Sequence, residues 1–100
     1  MVSKIFCFDI DDTICYTSGT DYSNSIPMQN RIKRINELYD SGSIIKFYTA
    51  RGSKTGINWR EITAKQLQSW GVKYHELHMG KPFADIYIDD KAVKDSDFEW

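Results

Sequence analysis

Three aspartates, Asp9, Asp11 and Asp12, stand within four residues directly after the apolar run Ile5-Phe6-Cys7-Phe8, and Thr13 follows them. A second acidic pair, Asp89-Asp90, ends another apolar run, Ala84-Asp85-Ile86-Tyr87-Ile88. Carboxylates this close repel and raise one another's pKa, so the crowding is costly unless a cation or a proton resolves it. If the two runs are neighbouring strands, the five carboxylates offer the oxygen ligands that a hard divalent ion such as Mg²⁺ takes alongside water and a substrate phosphate. A single aspartate more often ends a strand or opens a turn. Five at two strand ends are better read as a site.

Such a site needs elements that bring the ends together. Lys4 to Phe8 reads as a central strand buried on both faces. Tyr16 to Ser25 is rich in Ser, Thr, Gly, Asp and Asn and reads as a loop or flap. Pro27 suits a helix start, and Ile32, Ile35, Leu38 and Tyr39 recur at helical steps until Gly42. Ile44 to Tyr48 is a second strand. Asn58 with Glu61 resembles a cap, and Ile62, Leu67 and Trp70 give a second helix ending at Gly71. Val72 to His78 and Ala84 to Ile88 supply a third and a fourth strand. Strands alternating with helices imply right-handed crossovers and a mainly parallel sheet, whose sites form at the carboxyl ends of the strands. Asp9, Thr49 and Asp89-Asp90 lie at such ends, with Lys81 in the turn before the fourth strand.

Composition narrows the function classes. One hundred residues make one domain, 1–100. With 13 basic and 14 acidic residues the formal charge is -1, which leaves no large positive field for a nucleic-acid backbone. The start is too short and too acidic for a secretory signal or a membrane span, and Cys7 and Cys15 fit no metal-finger or disulfide spacing. A cytoplasmic protein with reduced thiols is expected.

Asp9-Ile10-Asp11-Asp12-Thr13 resembles the DxDxT signature of the haloacid dehalogenase-like (HAD) superfamily of phosphotransferases, and Thr49, Lys81 and Asp89-Asp90 stand in the order of its other three motifs. Residues 11–15, 19–22, 49–51, 80–82 and 87–92 are also similar to the small bacterial capsule-biosynthesis phosphatases of that superfamily. The resemblance implies a minimal, capless Rossmann-like three-layer α/β sandwich with a mainly parallel four-stranded sheet in the order 4-1-2-3. It implies a Mg²⁺-dependent phosphomonoester hydrolase in which Asp9 is the nucleophile and Asp11 the general acid and base. Thr49 and Lys81, with Ile10 and Ala50 beside them, would hold the phosphoryl oxygens. Asp9, the Asp11 carbonyl and Asp90 would take the metal, with Asp89 orienting a water or Lys81, or the reverse. Thr13 would support the loop. Asp12 departs from the frequent Asn or Gly and receives no role. The implied substrate is a sugar-phosphate, sugar-nucleotide or glycan precursor.

Other readings accompany these. Arg51 can clamp a substrate or sit exposed in a salt bridge. His75 and His78 are better strand residues than metal ligands, Cys15 a packing residue, and Asp95 and Asp97 solvated. A nucleic-acid-end phosphatase and a receiver-like phospho-binding module are the alternatives. The lack of room for a cap points to a partner subunit as lid, and an exposed sheet edge points to self-association.

Overall fold

The computed structural model describes residues 4–100. The elements run β1 (Ile5–Phe8), β2 (Cys15–Tyr16), β3 (Ile26–Pro27), α1 (Gln29–Asp40), β4 (Ile44–Thr49), α2 (Arg60–Ser69) and β5 (Glu76–Met79). β1, β4 and β5 form a parallel sheet in that order, and β2 pairs with β3 antiparallel at the base of the flap. The protein is an α/β fold with a three-stranded parallel sheet and two helices.

Register explains the core. Phe8 aligns with Phe47 and Phe47 with Leu77, so these side chains share one face; Cys7, Lys46 and Glu76 share the other. Both crossovers step in the same direction, and right-handed crossovers then put α1 and α2 on one side of the sheet. Ile32 and Ile35 of α1 and Leu67 of α2 pack there with Ile45, Phe47 and Leu77. The opposite face is wet, with Glu76 paired to Lys46 at 3.4 Å and to His78 at 2.7 Å. The expected three layers are therefore two among the described residues, and β1 is buried on one face only: Ile5 and Cys7 are exposed.

The expected fourth strand is absent from the described residues. Residues 84–88 form no strand, and Ile86 and Ile88 are 77% and 95% exposed. Apolar content makes a segment able to pair; it does not supply the partner. Here the Tyr87 hydroxyl donates to the Pro82 carbonyl, five residues back, and its ring lies against the Lys81 ammonium. These contacts fold the segment onto itself, and among the described residues no strand pairs with the outer edge of β1. The third strand begins at Glu76 rather than Val72, and Pro27 belongs to β3, one residue before Met28 opens α1.

The chain's last residues return to the core. Phe98 and Trp100 meet the Phe8 ring at 5.7 and 5.5 Å. Arg31 of α1 bonds Asp95 at 2.8 Å and lies 4.8 Å from the Trp100 ring. Asp95 is thus an ion-pair partner of α1 as well as a part-exposed residue. Among the described residues no helix is long and apolar enough to cross a membrane.

Candidate functional site

Asp9 emerges where β1 ends. Its Oδ1 accepts the Ile10 N–H at 2.8 Å, and Lys81 Nζ lies 3.4 Å from Oδ2. Lys81 reaches this point because its backbone N–H donates to the Thr49 carbonyl at 3.0 Å, carrying the chain from β5 across the end of β4. Burial pushes the Asp9 carboxyl up, while the Lys81 charge and the Ile10 N–H pull it down. Beside them a cavity of about 800 Å³ runs along β1, lined among others by Phe8, Asp9, Thr13, Lys81, Tyr87 and Asp89. The structure thus brings Asp9, Thr13, Lys81 and Asp89 to one hollow.

Asp11 faces elsewhere. Arg51 grips its carboxylate, with Nη2 2.9 Å from Oδ1 and Nε 3.0 Å from Oδ2. The same guanidinium reaches Thr63 at 3.1 Å and Gln66 at 2.6 Å on α2. Arg51 is 2% exposed, so the alternative of an exposed surface salt bridge is overturned: it is a buried ion pair, and its donors are spent inside the protein. It does not line the cavity beside Asp9. The following residue explains how the chain turns here. Gly52 has φ +80°, and a Cβ at that position would stand 2.0 Å from the Ile57 carbonyl oxygen, so only glycine fits.

The remaining predicted residues are more scattered. Thr49 has no exposed surface, and its Oγ1 accepts the Arg51 N–H at 3.1 Å. The Ile10 N–H is occupied by Asp9 itself, and the Ala50 carbonyl accepts from Ser53 in a turn. Thr13 supports the loop through its backbone: its N–H donates to Ile10 and its carbonyl accepts from Arg31. Asp12 has φ +59°, a left-handed conformation that Gly, Asn and Asp tolerate best, which accounts for the residue type at this position. Asp89 and Asp90 are exposed, and the Lys91 N–H at 2.9 Å is the leading cause that holds the Asp89 carboxyl below its usual range.

Among the described residues no group of three His, Cys, Asp or Glu comes close enough to hold an ion, so the two acidic clusters do not form one ligand set in this arrangement. His75 Nδ1 accepts the Ile45 N–H at 3.0 Å and His78 pairs with Glu76. Both histidines are engaged in the sheet. Cys15 is fully buried, and desolvation raises its thiol pKa, as suits a packing residue.

Sequence reading missed Thr17, Ser25, Thr63 and Gln66. The only signal was indirect: a buried Arg needs partners for five N–H donors, and nothing in the spacing says which.

No protein-family model matches this sequence, and no curated protein does. Among solved structures, a structural-genomics target from Vibrio cholerae superposes with a TM-score of 0.84 at 31% identity, over 93% of this chain and 85% of that one. Agreement at that identity over nearly the whole length of both chains reaches beyond a shared fold. The chain and this Vibrio cholerae protein belong to one family.

Proposed function

We propose that the protein is a phosphomonoester hydrolase that works through an aspartyl-phosphate on Asp9. The observation that carries this reading is the Asp9–Lys81 pair at the carboxyl end of a parallel strand, opening on a cavity, within a sequence that reads DxDxT. An Asp9 oxygen attacks phosphorus as the bond to the leaving oxygen breaks, and the leaving oxygen takes a proton from Asp11. Water then attacks the acyl phosphate with its proton passing to Asp11, which releases inorganic phosphate and restores both carboxylates to their starting states. Lys81 offsets the charge on the phosphoryl oxygens throughout.

Mg²⁺ is part of the proposal as a requirement, with no step assigned to it. To hold it, Asp89 or Asp90 must approach Asp9, and we propose that residues 84–88 do this by pairing with the open edge of β1 as the fourth strand, in the order 4-1-2-3. The exposed Ile86 and Ile88 and the unpaired edge support that reading. The substrate class, a sugar-phosphate, sugar-nucleotide or glycan precursor, rests on the capsule-phosphatase likeness, and the charge of -1 speaks against nucleic acid. The open site favours a lid from a partner or a second copy.

Purified protein should hydrolyse para-nitrophenyl phosphate and members of a sugar-phosphate panel in the presence of Mg²⁺, and chelation or Asp9→Asn should abolish the turnover. Turnover that survives Asp9→Asn, or none in the wild type, would overturn the proposal.

A further inference from the structure

We infer that Arg51 is a positioning residue, which latches the flap to α2 and grips both oxygens of Asp11, leaving Oδ2 the less crowded of the two. This rests on the phosphatase reading for Asp11 and on geometry alone for the latch.

A guanidinium has five N–H donors, and every one here has an acceptor. Nε donates to Asp11 Oδ2, and the two hydrogens of Nη1 go to Thr63 and Gln66. Those of Nη2 go to Asp11 Oδ1 at 2.9 Å and Ser25 Oγ at 3.4 Å. No donor remains for a substrate phosphate. The partners come from three places: the catalytic loop, α2 and the flap. The Tyr22 ring of the flap lies 4.9 Å from the guanidinium carbon, and Gln66, whose Oε1 accepts from Arg51, turns its Nε2 to the Tyr22 carbonyl at 2.6 Å.

The hydroxyls close a ring with one consistent proton direction. Arg51 donates to Ser25, Ser25 to Thr17 at 2.7 Å, and Thr17 to Asp11 Oδ1 at 2.6 Å, while Arg51 also holds Asp11 directly. Oδ1 therefore receives Arg51 Nη2 at 2.9 Å and Thr17 at 2.6 Å, with Nε also 3.3 Å away, whereas Oδ2 receives only Nε at 3.0 Å. On the phosphatase reading, the less crowded Oδ2 is the oxygen that must exchange its proton with the hollow beside Asp9, and Arg51 Nε fixes where it stands. Because Thr17 and Ser25 belong to the flap, Asp11 and the flap move together.

Three variants test this. Arg51→Lys keeps the charge and loses the fork; Thr17→Val cuts the flap from Asp11 with little change of volume; Gln66→Leu cuts α2 from the flap. In each, amide hydrogen exchange of residues 17–25 should quicken at least about tenfold while α1 and β4 stay protected. For Arg51→Lys and Thr17→Val, kcat with para-nitrophenyl phosphate and Mg²⁺ should fall about 10- to 100-fold with KM within about twofold, since misplaced Asp11 harms chemistry rather than binding. If Arg51→Lys does not fold, the other two decide. Unchanged flap exchange in Thr17→Val and Gln66→Leu overturns the latch. An unchanged kcat, or a loss confined to KM, overturns the positioning of Asp11. A wild type without turnover overturns the phosphatase reading and the Asp11 role, and the exchange rates still decide the latch.

Discussion

Two polar regions built from equally acidic sequence are in opposite physical states. Around Arg51 the flap, α2 and Asp11 are locked by charge-assisted hydrogen bonds to a guanidinium that is 2% exposed. From Pro82 to Lys94 every residue is exposed, and the acidic pair Asp89-Asp90 finds no second cluster to join among the described residues. The difference lies in what each region has to bind. A buried cation paired with a carboxylate completes its site within the fold; on the proposed reading, the two like-charged clusters would meet only around a cation. One half of the candidate site is preassembled and the other is held open.

The sharpest way to separate the halves is at Asp9, where they meet. On the proposed phosphatase reading, Asp9→Asn should lower turnover by about 10³-fold or more, since the proposed nucleophile is lost while the Arg51 ring is untouched. Phosphate release with and without Mg²⁺ measures it. The preassembled half should instead fail in stability. Arg51→Met leaves Asp11 without its buried partner and should cost about 3 kcal/mol in urea unfolding. Gly52→Ala forces a Cβ against a carbonyl at positive φ and should cost about 2 kcal/mol by the same measurement.

A pH effect follows from the raised Asp9 carboxyl. The folded state holds this proton more tightly than the unfolded chain, so the Asp9 contribution to stability falls as pH rises from the ordinary value of 3.8 through the raised one. Asp9→Asn should therefore be the more stable protein near neutral pH, with the difference fading below that ordinary value. Equal unfolding midpoints at both pH extremes would contradict this. The smallest effect belongs to the open half: Ile88→Ser should change stability by less than about 0.5 kcal/mol without metal, because Ile88 is 95% exposed. A larger loss appearing only with Mg²⁺ would mark the segment as docked by the ion.

Periodicity made most elements legible. Ile32, Ile35, Leu38 and Tyr39 at helical spacing and the short run Ile44 to Tyr48 correspond to α1 and β4, because side chains that must leave water mark the elements that bury them. Asp9 and Lys81 were legible as chemistry, and the structure sets them 3.4 Å apart. Arg51 was not: a lone Arg after Thr49 and Ala50 reads equally as a substrate clamp or a surface residue. Residues 84–88 read as strongly strand-like as Ile44–Tyr48 and yet stand apart.

The amino-acid sequence by itself determined the parallel α/β class, the two helices and the aspartates that follow β1. These follow from local patterns of polarity and from how much chain separates the motifs. Tertiary structure alone decided that Arg51 turns inward to grip Asp11, that among the described residues one face of the sheet is covered and the other wet, and that Asp89-Asp90 remains exposed. Each of those depends on which distant partner satisfies a charge or an edge, and partnership across 40 residues, as between Asp11 and Arg51, is set by packing rather than by neighbours in the chain.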